Sequence, residues 1–271
     1  MMAVNPVTSY PALKWESGES RHMDDRVAEE VPVALIYNGI SHAVMLASPL
    51  DLEDFAVGFS LSEEIAHSPS DIYGIEVIHQ PQGTEVHINL AGECFAELKQ
   101  RRRTLAGRTG CGLCGTESLA QVMQGKRKVT EISEYISTNA ILRAYQTIRS
   151  QQHLQSETGG THACAWVSQV GDIYLLREDI GRHNALDKLI GSLTRNPARL
   201  PGFAFTTSRA SYEMVQKAVS ANISILAAIS APTGLAIRMA QNRGLTLVGF
   251  AREQKFVVYS HPYRILNKET L

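Results

Sequence analysis

The sequence predicts an α/β protein, a mixed sheet layered with helices and joined to a smaller N-terminal portion that itself combines strands with a helix. From Ala163 onward, short apolar strand text alternates with helix text. Before it, β-branched runs flank Asn38-Gly39, and one helical stretch follows them. With 271 residues and 44% apolar content, the chain can bury the core of one large domain or of two unequal lobes.

Each element follows from its own text. Residues 1 to about 28 mix Pro, Ser, Gly and charge without periodicity, which predicts a mobile or loosely attached arm carrying no chemistry. Val31 to Tyr37, Asn38-Gly39 and Ile40 to Leu46 predict a hairpin, because Asn-Gly suits the tight turn between twisted strands. Leu52, Phe55, Ala56, Phe59 and Ile65 recur near helical spacing, and Ile72 to His79 and Glu85 to Leu90 return to strand text. Residues 97 to 117 show no apolar period and predict a long basic loop. Residues 138 to 152 predict a helix capped by Thr138, with Ile141, Leu142, Tyr145 and Ile148 as its apolar stripe. Strands are then expected near 163 to 168, 172 to 177, 203 to 207, 223 to 229 and 245 to 251, and helices near 183 to 194, 211 to 221 and 233 to 243. The chain accordingly divides into the arm (1–28), an N-terminal lobe (29–137) and an α/β lobe (138–271).

Composition narrows the function. Lys plus Arg at 26 nearly cancels Asp plus Glu at 27, so no overall field favours nucleic acid or an anionic membrane, and an anionic ligand must be held locally. The N-terminus lacks a secretory pattern and no stretch has the length of a membrane span, which predicts a cytoplasmic protein. Thiols stay reduced there, so Cys94, Cys111, Cys114 and Cys164 are expected to be reactive, metal-binding or buried rather than cross-linked.

Two groups of residues carry chemistry. Cys111-Gly112-Leu113-Cys114 lies between Gly110 and Gly115, whose backbone freedom would present both sulfurs to a partner. Arg101, Arg102, Arg103 and Arg108 lie nearby, and cations favour the nucleophilic thiolate, so a depressed pKa is expected for Cys111 or Cys114. Two other chemistries use such a pair. A structural zinc site would need two further ligands such as Cys94, Cys164 or His162, and a disulfide exchanger would place the pair at a strand-to-helix junction. The second group follows successive strands: Arg182 and His183, Ser208 and Arg209, Ser230 and Thr233. In an open α/β sheet such junctions gather at one edge, where helix N-termini receive phosphate. The plainer reading makes Ser211 and Thr233 caps and leaves Arg182 and Arg209 solvated. Phe250, Ala251, Arg252, Glu253, Gln254 and Lys255 close a further strand, adding a ring for stacking and two cations. Asp187 and Lys188 read as a salt-bridged helix face, and Cys164 as a small core residue.

Taken together, Gly110 to Gly115, Thr158 to Ala163, Glu178 to Lys188, Thr207 to Val215 and Ser230 to Thr233 resemble the formate dehydrogenase accessory sulfurtransferase family, written FdhD, from about residue 30 to the end. The resemblance implies a sulfur carrier. It would take persulfide sulfur from a cysteine desulfurase and pass it to the molybdenum bis(molybdopterin guanine dinucleotide) cofactor that formate dehydrogenase receives. Cys111 would be the persulfide carrier and Cys114 the second family cysteine. The cofactor site would include Phe250 to Lys255, and GDP or GMP would occupy the same place. The resemblance further implies a cytidine-deaminase-like fold and a homodimer, while the charge balance, the lack of a membrane span and the lack of a second Cys pair at metal spacing predict no nucleic acid, no membrane and no metal. Cys164 departs from the small apolar residue expected there and leaves a third thiol near the site. Deamination itself does not follow, because His162-Ala163-Cys164 lacks the glutamate of a zinc deaminase and the Cys pair precedes the histidine. A non-catalytic chaperone that binds and delivers the cofactor, and a zinc-stapled adaptor, are the rival functions.

Overall fold

In a computed structural model the protein is described over residues 4–105, 127–130, 135–196 and 200–267, with the side chains of 102–105 left aside. Cys111 and Cys114, with the motif around them, lie outside the described residues.

The architecture is mixed α/β. A six-stranded sheet has the order β13-β12-β11-β10-β8-β9, formed by Lys255–Val258, Thr246–Arg252, Ile225–Ala228, Gly202–Thr206, His162–Ser168 and Ile173–Asp179. Strands β10, β11 and β12 run parallel, joined by the crossover helices α6 (Tyr212–Ser220) and α7 (Gly234–Arg243), whereas β8, β9 and β13 are antiparallel to their neighbours. Both faces are covered, which explains the nearly unbroken apolar text of these strands. Cys164, Trp166, Ala204, Leu226 and Leu247 face a core shared with α5 (Arg182–Arg195), α6 and α7. Ala163, Ala165, Phe203, Phe205, Ile225 and Val248 face a second core built with α3 (Thr138–Gln151), which follows a short strand β7 (Ile136–Ser137) paired in parallel with β14 (Ile265–Leu266).

A four-stranded sheet of order β4-β3-β6-β5 (Ile40–Ala47, Val31–Tyr37, Gly83–Leu90, Ile72–Gln80) packs Val33, Leu35, Tyr37, Val86 and Ile88 onto α1 (Leu52–Ser62). Asn38 and Gly39 turn the expected hairpin with φ of 46° and 82°. Helix α1 lies against α5 with almost no side-chain spacer. A Cβ at Gly58 would overlap the Asp187 carbonyl, and one at Gly191 would overlap that of Asp54. The crossing is antiparallel, because Asp54 meets Arg195 while Ser62 meets Asp187, so the end of α1 lies beside the start of α5.

Several expectations are corrected. Residues 7–28 are not structureless: Val7–Glu16 (β1) and Glu19–Ala28 (β2) pair in register as an antiparallel hairpin, tied to α4 (His153–Thr158) through Arg26 and Glu157. The hairpin has little core to face and so no regular apolar alternation to mark it: Leu13 and Trp15 are exposed. The basic run also reads differently. Helix α2 covers Gly92–Leu105, burying only Cys94 and Leu98 among its described side chains and carrying an i,i+4 pair between Glu97 and Arg101. Its Lys, Gln and Arg are good helix formers, so propensity and a narrow buried stripe suffice without a wide apolar face. The cap of α3 is Ser137, whose side chain accepts from Ala140 N at 3.1 Å, rather than Thr138. Its buried stripe is Ala140, Ile141, Ala144 and Ile148, with Leu142 and Tyr145 only half-buried.

Candidate functional site

Parallel and antiparallel pairing bring five strand ends to one edge of the six-stranded sheet. These are the start of β8 at His162, the end of β9 at Asp179, and the ends of β10, β11 and β12. The loops that follow are knitted by backbone. Thr207 N donates to Ala163 O at 3.0 Å, Ile229 N to Thr206 O at 3.0 Å, Thr233 N to Ala210 O at 3.1 Å and Phe250 N to Ser230 O at 3.2 Å. These bonds place the Ser208-Arg209, Ser230 to Thr233 and Phe250 segments side by side.

Arg209 and Arg252 through Lys255 are exposed, and Phe250 is half-buried in a left-handed backbone conformation at φ 53°. A bulge between Gly249 and Arg252 re-aims this end of β12. The Arg252 guanidinium lies 5.7 Å from the Phe250 ring centroid, so cation and ring share one surface. Lys255 reaches Glu253 at 3.8 Å, a solvated contact. Other site residues are engaged internally. Ser208 is buried, its hydroxyl 3.0 Å from Thr206 Oγ1 and donating to its neighbour's carbonyl at 3.0 Å. Thr233 Oγ1 caps α7 by accepting from Ala236 N at 3.3 Å, and Ala251 is buried. Ser230 contributes the carbonyl that holds Phe250.

The turn from β9 into α5 is built around Asp179. Its carboxylate accepts from Ser48 N (3.0 Å), Gly181 N (2.8 Å) and Asn184 Nδ2 (3.0 Å) and pairs with Lys188 at 2.7 Å. Lys188 and Asp179 are both fully buried, so the expected salt-bridged helix face is corrected: Asp187 and Lys188 lie in the interior. Asp187 pairs with Lys217 of α6 at 2.9 Å and accepts from Ser62 at 2.6 Å, and Lys217 also binds Glu63 at 2.6 Å. Burial pushes the Asp187 carboxyl up to about 6, against the opposing pull of Lys217.

Arg182 and His183 open α5, whose N-cap Gly181 offers no side-chain cap. The N-terminus of α6 is likewise without a side-chain cap bond at Ser211. Both helix ends therefore leave amide N–H groups for an external acceptor. Arg182 Nε is enclosed and has no hydrogen-bond partner among the described residues. An enclosed cationic donor without an acceptor suits an anionic ligand. His183 Nε2 lies 2.7 Å from Glu213 and 3.5 Å from Ser211 Oγ. Burial, with Arg182 and Lys217 beside it, holds its pKa below the ordinary value despite Glu213, and burial with Arg182 does the same for His162. Cys164 is buried, its thiol pushed up to about 12 by burial, and belongs to the core beneath this edge.

Sequence reasoning missed Glu213, Lys217 and Glu63. The first two stand at i and i+4 on α6, a spacing that marks one helix face, but nothing in the text reveals that this face meets His183 and Asp187. A cavity of about 190 Å³ between Leu61, His67, Arg127 and Asn222 lies instead at the opposite edge, by the C-terminus of α6. There the Arg127 guanidinium is engaged by the carbonyls of Ser220 and His67. Among the described residues no cluster of His, Cys, Asp or Glu could hold a metal ion, and no helix is long and apolar enough to cross a membrane.

Known proteins resemble the chain along most of its length. The chain is 51% identical over 265 residues to the sulfur carrier protein FdhD of Cupriavidus necator, covering 97% of this chain and 92% of that one. It is 53% identical to the protein of the same name from Variovorax paradoxus, over 89% of this chain and 87% of the relative. A crystal structure from Desulfotalea psychrophila, described as a formate dehydrogenase accessory protein, shares the fold at a TM-score of 0.76 with 23% identity, over 97% of this chain and all of that one. The FdhD/NarQ family profile matches residues 28–266, and with relatives more than half identical along nearly the full length, the chain belongs to the FdhD/NarQ family.

Proposed function

We propose that the protein is a cytoplasmic sulfur carrier that takes persulfide sulfur from a cysteine desulfurase onto Cys111. It then hands that sulfur to a molybdenum bis(molybdopterin guanine dinucleotide) acceptor held at the strand-end edge, for use by formate dehydrogenase. The observation that carries the reading is kinship with proteins named sulfur carrier protein FdhD, one of them over 97% of the chain, joined to an edge where Arg182 Nε has no partner among the described residues. In the first step the Cys111 thiolate attacks the outer sulfur of the donor persulfide. The S–S bond breaks, and the donor's thiolate leaves and is protonated. Arg182, Arg209 and Arg252 would pair with phosphate oxygens, the open N-termini of α5 and α6 would donate to them, and Phe250 would stack on guanine. GDP or GMP would lodge at the same edge.

A chain of contacts leads from α2 to His183. Arg101 of α2 donates to Glu63 O at 3.4 Å, Glu63 binds Lys217, and Lys217 stands one turn from Glu213, which holds His183. Cys111 is six residues beyond Leu105, the end of α2, and six extended residues span at most about 20 Å. With this reading go the remaining parts of the proposal: a cysteine lobe (29–137), a cytidine-deaminase-like cofactor lobe (138–271) and a homodimer.

The chaperone reading needs the same anion site but no thiolate. In cells lacking the protein, Cys111→Ala is expected to leave formate dehydrogenase inactive. Recovery of activity with Cys111→Ala combined with Cys114→Ala would make the protein a carrier of cofactor rather than of sulfur.

A further inference from the structure

We propose that His183, oriented by Glu213, is a proton shuttle for sulfur transfer at this edge, an inference that rests on the sulfur-carrier reading. His183 is the second residue of α5, and its Nε2 touches the Glu213 carboxylate at 2.7 Å. The charged groups that bear on it are Glu213 and Lys217 of α6, Arg182 beside it on α5, and Glu63 at the end of α1. Burial comes first among the influences on the ring, and with the two cations it outweighs the two carboxylates, which favours the neutral imidazole. A neutral imidazole that meets a carboxylate through Nε2 keeps its proton on Nε2, which leaves the lone pair on Nδ1. Among the described residues nothing hydrogen-bonds Nδ1, and the side chain is 28% exposed beside Ser211, two residues from Arg209. The arrangement joins a base, its orienting carboxylate and an open acceptor nitrogen at the edge where the sulfur is to be delivered.

The step balances without an added oxidant or reductant. A sulfur acceptor uses its own electron pair to attack the outer sulfur of the carrier persulfide, and the S–S bond breaks with its electrons on the inner sulfur. The proton of the outer sulfur passes to His183 Nδ1 and then to the inner thiolate, restoring the carrier thiol and the neutral imidazole. Positioned proton transfer of this kind is worth about a hundredfold in favourable cases.

The test charges the full-length protein with cysteine desulfurase and cysteine and measures the persulfide on Cys111 by mass spectrometry. It then follows discharge to cyanide, a nucleophile that leaves as thiocyanate, as a function of pH. Loading is expected to be equal in wild type and His183→Gln, while discharge slows by about tenfold or more and loses an inflection below neutral pH. Glu213→Gln, which keeps a hydrogen-bond acceptor without its charge, is expected to fall between them, and added imidazole to restore His183→Ala. Superimposable discharge profiles in all four proteins, with no response to imidazole, would overturn the shuttle alone. If no persulfide forms on Cys111 of the wild type, the sulfur-carrier reading falls and the shuttle with it.

Discussion

Two regions of the molecule treat charge in opposite ways. Between α1, α5 and α6, each ionic side chain meets its complement: Lys188 with Asp179, Lys217 with Asp187 and Glu63, and Arg177 and Arg195 with Asp54. At the strand ends, Arg209 and Arg252 are exposed, and among the described residues Arg182 keeps an enclosed nitrogen without a partner and two helix N-termini have no side-chain cap bond. Buried charge is costly unless paired, so interior pairing reads as structure. Charge left open beside unfilled amide donors reads as a place for a ligand.

The largest effect that breaks this contrast belongs to the interior. Lys188→Met strands the Asp179 carboxylate in a dry site and is expected to cost about 3–5 kcal/mol in urea unfolding. Next come Gly58→Ala and Gly191→Ala, where one methyl must part α1 from α5. Each is expected to lower stability by about 1–3 kcal/mol, with the pair less than additive because they share one crossing. At the edge the pattern inverts. Arg252→Ala is expected to weaken GDP binding about tenfold by calorimetry, a loss of about 1.4 kcal/mol, while the unfolding midpoint stays nearly unchanged. A last effect is one of pH. Asp187 is raised in the folded state from 3.8 to about 6, so the fold holds its proton more tightly than the unfolded chain does, and stability falls as pH rises through that window. Asp187→Asn should remove that component from the stability–pH curve, as read by urea midpoints at successive pH values.

Much of this contrast was legible in the text, and what was hidden has a physical cause. The strands and helices from Ala163 onward announce themselves because both faces of the sheet are covered and the helices have wide apolar stripes. Three strand-end motifs are legible because each follows a strand of apolar text, and Phe250 to Lys255 because it spans the end of β12. The β1–β2 hairpin and the basic turns of α2 have little core to face, so apolar periodicity carries no signal of them. Asp187 and Lys188 read as a helix face, and Lys217 carries no signal, because their burial depends on partners distant in sequence. The role of Glu213 is invisible for the same reason: its meaning comes from His183, which stands 30 positions away.

The most direct measurement is the mass of the protein after incubation with cysteine desulfurase and cysteine. The account predicts one added sulfur, removed by a thiol reductant, absent in Cys111→Ala and retained in His183→Gln and Arg252→Ala. An adduct of the same size in Cys111→Ala, or none in the wild type, would contradict it.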